Sequence, residues 1–228
     1  DVQSQEVIFS DYEGNAVESD SEGQMIRWTP GEQRYRFLNN NLTGRQEAPE
    51  EIRQGEVYIS PSMVSIMNLK IGDTIIFRIA RNGMDVELTV AGYYEDPFMG
   101  SSMIGMKGFL ISEEDFEQIR TIIRQEGADA LAREGAMLHI FSGGDTEITS
   151  DQINQLLTSS TSLPEYTEEI HSAYTIQSFM SILQNAFCGI LAAFALILLL
   201  VTLVVLGHSI SGMVEQEQRD MGILKTLG

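Results

Sequence analysis

The sequence predicts an α+β fold: a mixed α/β domain in water, followed by one transmembrane α-helix. Three observations carry this reading. Strand-like and helix-like stretches are interleaved through residues 1–173, the pattern of an α/β or α+β domain. The stretch Ala186–Gly207 holds no charged side chain. A single cysteine, Cys188, lies inside that stretch, so no intrachain disulfide can hold the domain, which must build an apolar core of its own.

Residues 1–54 are polar, with short strand-like pieces at Glu6–Phe9 and Tyr35–Leu38. Between them, Glu18–Glu22 forms an acidic loop. Glu18, Asp20, Glu22 and Gly23 have the spacing of a calcium loop, but Thr29 stands where the bidentate Glu belongs, so the stretch is expected to be a solvated turn.

Residues 55–94 are the most legible. Glu56–Ile59 is a strand, and Ser60-Pro61 supplies an N-cap and a first-turn proline for a short helix to about Met67. Gly72-Asp73 turns the chain into a strand at Thr74–Ile79, and Asn82-Gly83 suits a tight hairpin. The return strand alternates Val86, Leu88 and Val90 with Asp85, Glu87 and Thr89, as a half-buried strand does.

Gly108–Ile111 is a further strand. Ser112 with Asp115 resembles a capping box that opens a helix to about Arg124. Met137–Phe141 is another strand, and Thr149 with Gln152 opens a second helix with Ile153, Leu156 and Leu157 on one face. Thr158–Pro164 is a polar connection, and from about Tyr174 a helix runs without a break into the apolar stretch. The expected organisation is a domain at 1–173, a stalk helix at 174–185, the transmembrane helix at 186–207 and a polar tail at 208–228.

At about 1.5 Å per residue the apolar stretch makes roughly 33 Å of helix, against about 30 Å of hydrocarbon. Its Leu, Ile, Val and Phe side chains together favour insertion by roughly -4 to -8 kcal/mol. The nearest basic residues after it are Arg219 and Lys225, and the nearest before it is Arg133. This bias puts the tail in the cytoplasm and residues 1 to about 180 outside, an extracytoplasmic domain on the cell membrane. The rival topology is a cytoplasmic domain with a C-terminal anchor.

A formal net charge of -19 argues against a nucleic-acid partner and against a domain lying on anionic lipid. Gly100 and Gly105 have phosphate-loop spacing, but Met106 follows and Lys107 comes one place late, so the chain does not resemble an ATPase. His139, His171 and His208 are isolated in sequence, which speaks against a zinc site; His139 is expected on a strand and His208 at the membrane interface. No Gly-x-Ser-x-Gly elbow is present. No catalytic residue, cofactor site or metal site can be read from the sequence.

The tail gathers charges at Glu215, Glu217, Arg219 and Asp220. Met221, Leu224 and Gly228, with Ile223 and Leu227 close by, form an apolar patch around Gly222. Glycine there costs a helix about 0.5–1 kcal/mol but permits close backbone approach. The plainer alternative is a juxtamembrane linker with a modest amphipathic turn.

Gln218–Gly228 resembles the segment after the second transmembrane helix of FtsX-like permeases, the MacB-type family of mechanotransmitting ABC transporters. The family pattern is Arg, an acid, an aliphatic, Gly, two aliphatics, a basic residue, any residue, an aliphatic, Gly. Asp220 stands where Glu is the commoner acid. A looser resemblance, over Gly55–Tyr94, is to the extracytoplasmic domain of the same family. The resemblance implies a transmembrane helix before Asp1 and at least two after Gly228. It implies a separate ABC ATPase subunit that binds ATP, a second permease half in a homo- or heterodimer, and lipid around the span. Glu215, Glu217, Arg219, Asp220, Gly222, Ile223, Leu224, Lys225 and Gly228 would then form the ATPase-coupling segment, and the function would be export or antimicrobial-peptide resistance. The alternative class is a single-span sensor or receptor whose outer domain binds a ligand. A third, a membrane-anchored enzyme, lacks a catalytic constellation.

Overall fold

The computed structural model describes residues 2–15, 17–18, 22–33, 35–96, 99–100, 106–140, 150–162, 165 and 173–227. The chain divides into two units, Asp1–Thr146 and Glu147–Gly228. The fold class is α+β, with a long apolar helix at the C-terminal end.

The first unit is built on one mixed sheet. Its early strands are β1 (Val2–Ser10), β2 (Tyr12–Gly14), β3 (Val17–Glu18), β4 (Gly23–Arg27), β5 (Arg36–Leu38) and β6 (Arg45–Gln46). Then come β7 (Glu56–Ile59), the short helix α1 (Ser62–Ile66), β8 (Thr74–Arg78), β9 (Asp85–Glu95), β10 (Lys107–Ile111), α2 (Glu113–Glu126) and β11 (Arg133–Ile140). The strand order is β11-β1-β4-β10-β7-β9-β8-β2-β3, with β5 bonded to β9 and β6. The β4–β10 and β7–β9 pairs are parallel. The remaining pairs are antiparallel, including the longest ladder, where Val2 meets Ile140 and Phe9 meets Arg133.

The middle of this sheet is buried on both faces, which is why all of β10 is buried and does not alternate. On one face Ile8, Met25, Val57, Ile59, Phe77 and Phe109 pack with Met63 of α1 and with Phe116 and Ile119 of α2. On the other, Val7, Ile26, Tyr94 and Leu110 pack with Phe37 of β5 and with Trp28 and Ile52 from the irregular stretches around it. Phe109 sits at the centre of an aromatic cluster, edge-on to both Tyr12 and Phe77 at 4.8 and 5.0 Å. Gly92 is needed where β9 passes Tyr58: the register shifts there, and a Cβ would run into the tyrosine ring.

Helix α2 is fastened by charge as well as by packing. Arg120 reaches Glu6 of β1 at 2.6 Å and Glu134 of β11 at 3.0 Å, and its guanidinium lies 5.2 Å from the Phe116 ring centroid. Arg27 adds contacts to Glu6 at 3.3 Å and to Glu113 at 3.5 Å. Ser112 caps α2 as the sequence predicts, accepting the Asp115 N–H at 3.0 Å.

Three local expectations need correction. Ser60 does not cap α1 through its side chain: its hydroxyl meets Ser62 Oγ at 2.8 Å, while the Ser60 carbonyl accepts the Met63 N–H. The β8–β9 hairpin is not a two-residue turn at Asn82-Gly83. Gly83 takes φ 81, and both Ile79 and Ala80 donate to the Met84 carbonyl, the pattern of a longer loop with a bulge. The Glu18–Glu22 stretch is not wholly solvated, because Glu22 accepts from Arg133 at 2.7 Å. Asp20, Gly105, Phe141, Thr149, Pro164 and His171 lie outside the described residues.

The second unit contains α3 (Ser150–Ser160) and α4 (Ala173–Leu227). Residues 158–160 belong to α3 and not to the polar connection expected there. Helix α4 is 55 residues long, about 83 Å at the standard rise. Within it, Ser181–Ile223 is long and apolar enough to cross a membrane, and none of that stretch's apolar window is buried. Leu191, Leu196 and Val201, 68%, 59% and 54% exposed, leave the axis about 140° apart in succession, so the helix is apolar and exposed on every side. Thr202 hides its hydroxyl from that surface by donating to the Leu198 carbonyl at 2.8 Å.

Candidate functional site

The predicted coupling residues all fall on the last turns of α4, apart from Gly228, which lies outside the described residues. The helix does not pause between the apolar stretch and the charged one. Glu215, Glu217, Arg219, Asp220, Ile223 and Lys225 are exposed, and Gly222 and the backbone of Leu224 sit among them. At about 100° per residue, Glu215, Arg219 and Gly222 share one side of the helix, and Glu217 and Asp220 lie towards the other. Met221 and Ile223, 63% and 51% exposed, leave the axis about 160° apart, so they do not form one stripe. A Cβ placed on Gly222 meets nothing within 4 Å, so packing within the chain does not require glycine there.

A second place, not anticipated from the sequence, is a groove of about 800 Å³ in the first unit. It forms where two strands separate. β1 pairs with β4 only from Val7, which meets Ile26, to Ser10, which meets Gly23. Past Arg27 the chain stays with β10, through a bond from Trp28 N–H to the Ile111 carbonyl, and then turns away. The consecutive β1 residues Gln3, Ser4, Gln5 and Glu6 line the groove. Side chains alternate between faces along a strand, so four neighbours can line one groove only if it runs along the strand edge. Among the described residues no strand pairs with that edge, while the opposite edge of β1 is bonded to β11 from Val2 to Phe9.

The far wall comes from Thr29, Gly31, Glu32, Gln33, Tyr35, Arg36 and Glu95. Gln33 folds this segment by donating to the Arg27 carbonyl at 2.6 Å and accepting the Thr29 N–H at 3.1 Å. On the floor, Gln5 Oε1 accepts from Tyr35 Oη at 3.5 Å and lies 3.1 Å from His139 Nε2. Gln5 is 9% exposed, and its Nε2 has no hydrogen-bond partner among the described residues. Burial lowers the His139 pKa below its ordinary value, which keeps the ring neutral. A neutral ring can accept at Nε2, so turning the Gln5 carboxamide over satisfies the buried N–H and leaves the cheaper deficit, a carbonyl. Tyr35 is pushed up to about 12, first by burial and then by the Asp96 carboxylate. Two of the groove's three carboxylates are matched, with Arg27 on Glu6 and Arg36 on Glu95 at 3.7 Å, and Glu32 is the third. No aliphatic side chain lines it.

Lys107 follows the glycines that resemble a phosphate loop, but it lies on β10, 2% exposed, with Nζ donating to the Met99 carbonyl at 3.4 Å. Burial lowers its pKa, against the pull of Asp96. His208 is exposed on α4, and among the described residues no group of three or more His, Cys, Asp or Glu is placed to hold a metal. No protein-family model matches the chain, and no curated protein matches it in sequence.

Proposed function

We propose that the chain is part of a permease subunit of an ABC transporter of the FtsX/MacB type, in which a separate ATPase subunit moves an extracytoplasmic α+β domain. The observation that carries this reading is the continuity of α4. One helix holds the membrane-length apolar stretch and, without interruption, the Gln218–Leu227 motif. A rigid link of that kind is what mechanical coupling across a bilayer requires.

In this reading Glu215, Glu217, Arg219, Asp220 and Lys225 meet the ATPase subunit, and Gly222 lets the two backbones approach. ATP belongs to that partner, and this chain has no catalytic role of its own. A second permease half completes the assembly, with lipid around the rest of the span. Arg219 and Lys225 favour a cytoplasmic tail, and hence a first unit outside the cell membrane. Export or antimicrobial-peptide resistance fits this arrangement.

The test is reconstitution of the intact polypeptide in liposomes with the nucleotide-binding subunit encoded beside its gene. A stable complex whose ATP hydrolysis depends on the permease supports the reading. An intact polypeptide that crosses the bilayer once and binds no such subunit overturns it, and leaves the single-span sensor.

A further inference from the structure

We infer that the groove beside Gln3–Glu6 is a docking slot for an extended polypeptide segment of a partner protein, which adds as a strand to β1. The inference concerns the first unit alone and does not depend on the transporter reading.

The geometry of the strand edge carries it. In an antiparallel ladder, alternate residues point their N–H and C=O groups to each side. β11 takes one set from Val2 to Phe9, and β4 takes the other only from Val7 to Ser10. Along Gln3–Glu6 the second set faces the groove, in the line that β4 would have followed. An edge that no described strand covers is a template for a further strand. Four residues of strand span roughly 13 Å, and a groove of about 800 Å³ has room for a short extended segment.

The lining says which segment. No aliphatic side chain lines the groove, so a large aliphatic side chain of a ligand would find no aliphatic partner there. A strongly acidic segment would face Glu6, Glu32 and Glu95, and a strongly basic one would compete with Arg27 and Arg36 for Glu6 and Glu95. What remains is main-chain recognition of a segment with small or polar uncharged side chains. Gln3, Gln5, Thr29 and Tyr35 offer it hydroxyl and carboxamide groups that both donate and accept.

The test uses the full chain in detergent and, as probe, a capped hexapeptide of alternating threonine and glutamine in millimolar excess. Hydrogen exchange is expected to slow at alternate amides within Gln3–Glu6 and to stay unchanged along β8. N-methylation at alternate residues of the probe removes its main-chain donors on one edge and is expected to weaken binding roughly tenfold or more. Thr29→Arg fills the groove from its far wall and is expected to weaken binding to the same degree at an unchanged Tm. Equal binding of the N-methylated probe overturns the proposal. So does undiminished binding to Thr29→Arg, absence of protection along Gln3–Glu6, or binding of maltotriose where the hexapeptide does not bind.

Discussion

The Asp115 carboxylate accepts the backbone N–H of Gly55 at 2.7 Å, joining the first turn of α2 to the residue that leads into β7. The same oxygen takes the Ser112 hydroxyl at 2.8 Å, and the residue is 5% exposed. One side chain therefore completes a helix cap and pins a left-handed glycine, Gly55 at φ 82. Asp115→Ala leaves the half-buried Gly55 N–H and the buried Ser112 hydroxyl without their acceptor. The expected loss is about 2–4 kcal/mol, with Asp115→Asn losing less, measured by chemical denaturation.

Phe109 tests the packing between sheet and helices. It is fully buried against Tyr12 and Phe77. Phe109→Ala is expected to cost about 3–5 kcal/mol and Phe109→Leu clearly less, with a lower Tm of the first unit in both. The helicity of α4 should not change.

Acid should loosen the floor of the groove. His139 has a folded-state pKa below its ordinary 6.5 because burial disfavours the charged ring. The folded state then binds a proton less readily than the unfolded one. The contribution is complete above about pH 6.5 and is lost as the pH falls below it. His139→Phe is expected to flatten the stability profile between neutrality and pH 5, read from denaturation midpoints.

Alkali acts on the opposite sign. Tyr35 rises from 10.0 to about 12 on folding, so the folded state holds its phenolic proton more tightly. Its contribution is intact below pH 10 and disappears as the pH climbs towards 12. Ultraviolet titration should show a late-ionising tyrosine that Tyr35→Phe removes. Tyr94, fully buried beside Asp96, also ionises late and remains in that variant.

In the tail, Gly222→Leu should leave folding intact, since a side chain there meets open space and leucine favours helix by about 1 kcal/mol over glycine. Under the proposed function it should uncouple ATP hydrolysis from transport. Normal coupled transport in the variant would count against the coupling role.

The sequence was most informative where the signal is local. Val86, Leu88 and Val90 alternate, Ser112 and Asp115 stand three apart, and the β7 limits follow from Glu56–Ile59 with Ser60-Pro61 behind it. It was silent where the signal is distant. β4 carries Gly23 and Gln24 among its apolar residues, and only its neighbours β1 and β10 make it a central strand. The slot was illegible for the same reason. It depends on where β4 leaves β1 and on β11 returning from the far end of the unit, and no local pattern encodes either. The tail motif could be located on a helix from its residues alone, but its partner could not be read from them.

The pairing of Val2 with Ile140 also fixes when this unit can finish folding. Of the described strands β1 is made first, and its principal neighbour β11 is made last. Local pieces such as the β8–β9 hairpin form early, whereas closure of the sheet must wait for nearly the whole unit, because distant pairing is slow to nucleate. The hydrophobic helix follows soon afterwards along the chain. The nascent protein must therefore shield an incomplete sheet until shortly before its membrane segment appears, so translation pauses or chaperones acting late in the unit should have the greatest effect on yield.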